Sequence, residues 1–371
     1  MSGRKVIKQP TGTWKASYST GSGPNRVRRS KILTTRNAAI EWLNELSVRY
    51  EKGNGVRRRL TLCEYYEYWL NLEKSQASKL ELNTLDSYQM TGKRLKKVLP
   101  HVKLEDVDRP MVQSAFNVLG VNHAHATLMK DLGHLRAMFR SAIRNGDLNI
   151  NVCEDIVIAG NNQGEKTRGK KFMPVDDLRA IQNDLRSEVN SLAQVNRFVL
   201  FICSISGLRV GECLALTKSD IDEDNSVLRV RSSYDSAHRM VKSTKNSQSI
   251  REVPIDGESM MIILEWLNKH DSWLMDERIS NPQSFIFLNK NGVLPVANSI
   301  NATFKALQRK LGMAGKYSVH SFRSTLASLM VERGVPIEYV ARYLGHTPSS
   351  AVTRRYYVDV LPSAIGNRCC S

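Results

Sequence analysis

With 371 residues the chain is too long for one compact core and divides into two or three domains. A hydrophobic share of 41% is that of a well-packed soluble protein, and no apolar run approaches the ~20 residues that a membrane span needs. Fifty-four Lys and Arg against 36 Asp and Glu leave a formal charge of +18, a surplus that points to a polyanionic partner, nucleic acid first.

The charge is concentrated at the start, where residues 1–59 hold fourteen Lys and Arg against three Glu. No apolar stretch follows the basic N-terminal residues, so they are not read as a signal peptide and a cytoplasmic location is expected. Two alternating segments, Trp14-Lys-Ala-Ser-Tyr-Ser and Arg26-Val-Arg-Arg-Ser-Lys-Ile-Leu, flank the turn-rich Gly21-Ser-Gly-Pro-Asn25 and predict a hairpin. Thr34 or Thr35 then caps a helix over 36–51 with Ala39, Trp42, Leu43 and Leu46 on one face. A small sheet backed by one helix, with Lys15, Arg26, Arg28, Arg29 and Lys31 on its strands, suits a β-ribbon reader of a DNA groove. A solvated basic hairpin is the alternative.

Gly53-Asn-Gly-Val-Arg-Arg-Arg59 reads as a flexible linker, and from 61 to 158 the pattern is helical throughout. Leu62, Tyr65, Tyr66 and Trp69 mark one amphipathic helix; 85–99, with Thr84 as N-cap, gives a second. A third covers 111–119 and a fourth 125–145, closed by Gly146. A second linker at 159–171 is glycine-rich and basic, and its Lys170 and Lys171 are placed to track a phosphate backbone. Residues 172–371 form a mixed domain: helices over 176–188, 196–205, 259–270, 296–311, 321–333 and 337–344, with strands between 227 and 255. The six cysteines, Cys63, Cys153, Cys203, Cys213, Cys369 and Cys370, lack C-x-x-C spacing and read as free thiols in a reducing compartment.

Four stretches of this last part carry chemistry. In Ser206-Gly-Leu-Arg-Val-Gly-Glu212 a glycine turn brings Arg209 to a helix N-terminus, and Glu212 three residues on orients its guanidinium. Lys242-Ser-Thr-Lys-Asn-Ser-Gln-Ser-Ile-Arg-Glu-Val-Pro254 is a basic turn entering a strand, where a lysine can donate a proton beside a phosphate. His320-Ser-Phe-Arg323 sets an imidazole and a guanidinium on one helical face. Leu344-Gly-His-Thr-Pro348 precedes the tyrosine pair of Thr353-Arg-Arg-Tyr-Tyr-Val-Asp-Val360. Each alone reads as readily as an ion pair, a solvated lysine or a core aromatic.

Taken in order, Arg…Lys…His-x-x-Arg…Leu-Gly-His…Tyr resembles the catalytic domain of the tyrosine recombinases (phage-type integrases), and the resemblance covers nearly the whole chain. It implies a multidomain α+β fold: a small N-terminal β-sheet plus helix domain at 1–55 that binds arm-type DNA sites, an all-α core-binding domain at 61–158, the basic linker, and a mixed, mainly α catalytic domain at 172–371. It implies that Arg209 and Arg323 hold the scissile phosphate, and that Lys245, or Lys242 in its place, protonates the leaving 5′ oxygen. His320 then serves as acid/base, His346 bonds the phosphate and Glu212 stands behind Arg209. The nucleophile is Tyr357, matching a family ending Tyr-x-His-Val in which Asp359 replaces the histidine, or Tyr356, which keeps the commoner spacing from His346. The implied reaction is site-specific strand exchange through a 3′-phosphotyrosine, with no cofactor and no metal, integrating and excising a phage or other mobile element. The implied partners are double-stranded core and arm attachment sites, three further copies of the chain in a tetramer on DNA, and DNA-bending and directionality proteins, with no membrane. A type IB topoisomerase-like enzyme and a non-catalytic DNA-binding regulator are the rival readings.

Overall fold

The computed structural model describes residues 3–20, 27–51, 59–76, 80–161, 172–186, 191–243, 250–313 and 317–345. The chain forms two compact units, Met1–Glu165 and Lys166–Ser371. Among the described residues no helix is long and apolar enough to cross a membrane, and Cys63, Cys153, Cys203 and Cys213 are buried free thiols.

The first unit opens with a three-stranded antiparallel sheet, β1 (Gly3–Lys8), β2 (Trp14–Thr20) and β3 (Val27–Leu33), in that spatial order. The β2–β3 hairpin is the one expected; β1 is additional to it, because its alternation contributes a single buried-side apolar residue, Val6, opposite Ala16. A tight turn joins β1 to β2, with Gly12 at φ 80°, where only glycine sits without strain. Helix α1 (Arg36–Glu51) starts at Thr35, whose hydroxyl accepts from the Ala38 amide at 3.2 Å, and lays Ala39, Leu43 and Leu46 on Ala16 and Tyr18.

The helical part follows. Helix α2 (Leu62–Trp69) has a capping box: the Thr61 hydroxyl accepts from the Glu64 amide at 3.2 Å, and the Glu64 carboxylate accepts from the Thr61 amide at 2.8 Å. Thr61→Ala is therefore expected to lower stability by about 1 kcal/mol, read as a fall in the urea midpoint at unchanged slope. The helix continues as a π-helical turn, Leu70–Gln76. There Glu73 accepts from the Trp69 indole at 3.0 Å and from the Ser141 hydroxyl.

Helix α3 (Leu82–Val98) begins three residues before the expected start, with Glu81 rather than Thr84 at the N-cap. Thr84 lies in the first turn, where its amide donates to the Glu81 carbonyl. Helix α4 (Arg109–Gly120) is capped by Asp108, and α5 (His125–Arg144) ends at Gly146 with φ 73°. Their apolar faces enclose Tyr65, Tyr66, Trp69, Phe116, Leu132 and Phe139. Polar groups within this core are paired: Asp131 takes the Arg94 guanidinium in a fork at 2.5 and 2.6 Å and the Thr91 hydroxyl at 2.7 Å, and Asp147 accepts from the Tyr65 hydroxyl at 2.7 Å.

The second unit is built around α7 (Val195–Ser206), which is buried along almost its whole length. Around it lie α6 (Val175–Arg186), the short α8 (Val210–Leu214), α9 (Gly257–Asp276), α10 (Ala297–Lys310), α11 (His320–Glu332) and α12 (Ile337–Leu344). A three-stranded antiparallel sheet, β4 (Ile221–Asp222), β5 (Val227–Val230) and β8 (Arg251–Pro254), has the order β4-β5-β8, and a separate hairpin joins β6 (Ser232–Asp235) to β7 (Met240–Ser243). Phe198, Phe201, Trp266, Phe287, Phe304 and Phe322 fill the core.

Candidate active site

The site begins where α7 stops. Gly207, at φ 64°, turns the chain out of α7, and Arg209 takes the N-cap position of α8. Glu212, in the first turn of α8 and 4% exposed, accepts from the Arg209 amide at 3.0 Å and from its guanidinium at 2.6 Å. The local motif thus folds as its spacing predicts, and leaves the Arg209 side chain 41% exposed, with its head available to an anion.

The same carboxylate serves two more guanidinium groups. Arg251 donates to Glu212 at 2.9 Å, and Arg323 lies 4.0 Å from it. Burial pushes the Glu212 carboxyl up, but Arg251 above all, with Arg209 and Arg323, outweighs it and holds the pKa at about 2.

Arg251 is the residue that sequence reasoning missed. It was legible only as part of a Ser-Ile-Arg-Glu-Val-Pro strand. On β8 the residues alternate, with Arg251 and Val253 inward and Glu252 and Pro254 outward, so a charged group stands at a core-facing position. Its Nε donates to the Tyr343 carbonyl at 2.7 Å, tying β8 to the end of α12. Gly345 follows at φ 64°, and a Cβ there would stand 2.9 Å from Arg251 Nη1. The glycine of the Leu-Gly-His motif therefore answers to both a left-handed turn and a packed guanidinium.

Arg323 is 1% exposed and donates to the Gly207 carbonyl at 2.9 Å and to the Leu344 carbonyl. His320, the first residue of α11, is exposed at its surface. Desolvation first, then the charges of Arg323 and Arg209, draws its pKa below the ordinary histidine value, so the neutral imidazole is favoured at neutral pH. Arg209, Glu212, Arg323 and His320, chosen from local motifs, are brought together. The two arginines are unequal, one facing out and one held inside.

Lys242, the alternative proton donor, is occupied. Its ammonium donates to the Asp235 carboxylate, which also accepts from His238 Nδ1 at 2.9 Å and from the Ala237 amide at 3.1 Å. Lys245, His346, Tyr356 and Tyr357 lie outside the described residues, as do Arg26, Lys170 and Lys171. The basic residues of the N-terminal sheet divide by face. Lys15 and Arg28 lie on the face away from α1, with Ile7 and Ile32 on either side of Lys15; Arg29 and Lys31 share the face of Tyr18 and Ala16. All four are exposed. Among the described residues no cluster of His, Cys, Asp and Glu is arranged to hold a metal ion.

This fold and site define the tyrosine recombinase class. The model of the phage integrase family matches residues 171–362, and that of the phage integrase SAM-like domain matches residues 61–157. The chain belongs to the phage integrase family. It is 27% identical over 208 residues to the prophage ps2 probable integrase of Lactococcus lactis subsp. lactis, covering 52% of this chain and 54% of that protein, about half the length of each. It is 25% identical over 284 residues to a XerC-like tyrosine recombinase of Caldanaerobacter subterraneus subsp. tengcongensis, covering 70% of this chain and 69% of that one. The fold matches the Tn1549 transposon integrase in complex with transposon right end DNA at a TM-score of 0.66 and 17% identity, over 83% of this chain and 99% of the other.

Proposed function

We propose that the chain is a site-specific DNA integrase that breaks and rejoins strands through a 3′-phosphotyrosine. The observation that carries this reading is a buried carboxylate, Glu212, that holds Arg209 toward solvent beside Arg323 and His320. In this reading the outward-facing Arg209 guanidinium receives the scissile phosphate and stabilises the charge that develops on it, with the buried Arg323 adding positive charge from within. His320, neutral at physiological pH, takes the phenol proton of Tyr357 as its oxygen attacks phosphorus. The bond from phosphorus to the 5′ oxygen breaks, and Lys245 gives that oxygen its proton; the engagement of Lys242 by Asp235 supports this choice over Lys242. His346 bonds a phosphate oxygen. The phosphotyrosine retains the energy of the diester, so a 5′ hydroxyl from the partner duplex closes the new strand and frees the tyrosine without ATP.

Charge on the phosphate is balanced by side chains alone, and the reaction is proposed to be metal-independent. Residues 61–158 and 172–371 would bind core sites, the linker at 159–171 the backbone between them, and residues 1–55 distant arm sites. Exchange between two duplexes cuts four strands, which requires four copies on DNA, and DNA-bending and directionality proteins would order the arms.

A nicked attachment-site duplex tests the reading, since loss of the short 5′ fragment traps the covalent complex. Wild type and Tyr356→Phe are expected to form the adduct in EDTA, and Tyr357→Phe to form none. Absence of an adduct from every variant sinks the enzymatic reading, and supercoil relaxation without joining favours a topoisomerase.

A further inference from the structure

His320 opens α11, and the residues that lead into it are gripped from two other helices. Gln308, near the end of α10, is fully buried. Its Oε1 accepts from the Tyr317 amide at 2.7 Å, and its Nε2 donates to the Tyr317 carbonyl at 3.1 Å and to the Phe304 carbonyl at 3.3 Å. The carboxamide thus meets one backbone donor and one backbone acceptor of the same residue, as a neighbouring strand would. From α6 comes the second grip: the Tyr317 hydroxyl donates to Asp177 Oδ2, in the first turn of that helix, at 2.8 Å. Burial first, then Asp177, pushes the phenol up to about 12, so it keeps its proton and this bond at neutral pH. Tyr317 and Val319 face inward, and Ser318 and His320 outward.

We infer that Gln308 and Asp177 are positioning residues: holding Tyr317 by its backbone and by its hydroxyl, they fix where α11 begins and so where the His320 imidazole stands in the site. The inference rests on the reading of His320 as acid/base and deepens it.

The other charged groups of the site are secured by other means. Arg323, one turn further along α11, is held by the Gly207 and Leu344 carbonyls, and Arg209 belongs to α8. Glu212 is fixed by Arg251. A shift at Tyr317 therefore falls first on His320 and leaves the guanidinium groups in place. An apolar side chain at 308 would fill the same space without a polar group to bury, but it would leave the Tyr317 amide and carbonyl without these partners. The entry to α11 is then free to settle elsewhere. A misplacement of ~1 Å costs on the order of 10²-fold when it falls on a reacting group.

A double-mutant cycle on the nicked duplex separates position from stability. At saturating DNA, Gln308→Met is expected to form adduct ~10²-fold more slowly than wild type, and Tyr317→Phe, which loses only the hydroxyl, ~10-fold more slowly. Asp177→Asn keeps an acceptor for the phenol and is expected to lose less than Asp177→Ala. His320→Gln is expected to lose ~10²–10⁴-fold. Adding Gln308→Met or Tyr317→Phe to His320→Gln is expected to slow the reaction by less than about threefold more, because the group they place is already gone. The full single-variant losses recurring in the His320→Gln background, or a wild-type rate in either single variant, overturn the inference and leave His320 its role. If Gln308→Met does not fold, Tyr317→Phe, which keeps the ring and both Gln308 bonds, decides by the same criterion. His320→Gln cleaving at the wild-type rate removes the acid/base reading, and the inference with it.

Discussion

Arg251→Met is expected to destabilise the protein by about 3–5 kcal/mol, the cost of stranding one member of a buried ion pair. Arg251 and Glu212 are each 4% exposed in their side chains, so neither recovers water when its partner is lost. Methionine fills much of the space of the arginine stem but supplies none of its donors. The Tyr343 carbonyl loses its bond from Nε, and Glu212 keeps Arg209 and the more distant Arg323. Urea unfolding of the full chain reads the effect as a lowered midpoint. The double variant Arg251→Met, Glu212→Gln is expected to recover part of the loss, because the stranded charge is then gone. A loss under 1 kcal/mol in the single variant would mean that the pair is open to water.

The same pair sets a dependence on acid. The Glu212 carboxyl is held at about 2, below its ordinary 4.5, so the folded state binds this proton less tightly than the unfolded chain. The resulting stabilisation, about 3 kcal/mol, is fully present above pH 4.5 and drains away as the pH falls from there through 2. In Arg251→Met the folded-state value rises toward the ordinary one. The stability difference between variant and wild type is therefore expected to be largest near neutrality and to shrink between pH 4.5 and 2.

How much of this was legible before the fold was known depended on distance along the chain. Arg209 with Glu212, and His320 with Arg323, are separated by three residues each, and helical geometry alone brings such pairs to one face. The helix capped by Asp108 and the one closed by Gly146 were readable for the same local reason. Arg251 was not. Its partners are Glu212, 39 residues earlier, and the Tyr343 carbonyl, 92 residues later, and they meet only through the register of β8 and the end of α12. The engagement of Lys242 by Asp235 likewise follows from a hairpin register that pairs Ser233 with Lys242. The division of the N-terminal basic residues between two faces follows from the single register that pairs Lys15 with Ile32 and Tyr18 with Arg29, which composition does not encode.

Arg209→Ala is expected to do the reverse of Arg251→Met, although both arginines share one carboxylate. The Arg209 side chain is 41% exposed, so its pair with Glu212 contributes at most about 1 kcal/mol to stability, and Arg251 still compensates the buried charge after its removal. Its value under the proposed function lies in what it offers outward. An arginine held at a helix N-terminus by a fixed carboxylate is pre-organised for a phosphate, and loses little freedom when the phosphate arrives. Removing one such donor from a developing anion costs on the order of 10²–10³-fold in rate. Adduct formation on the nicked substrate is therefore expected to fall by that factor in Arg209→Ala while the urea midpoint scarcely moves. Arg209→Lys keeps the charge but loses the two-pronged grip, and is expected to lie between the two. A variant that cleaves at the wild-type rate would remove Arg209 from the phosphate; one that unfolds as readily as Arg251→Met would make it a structural partner of Glu212 instead.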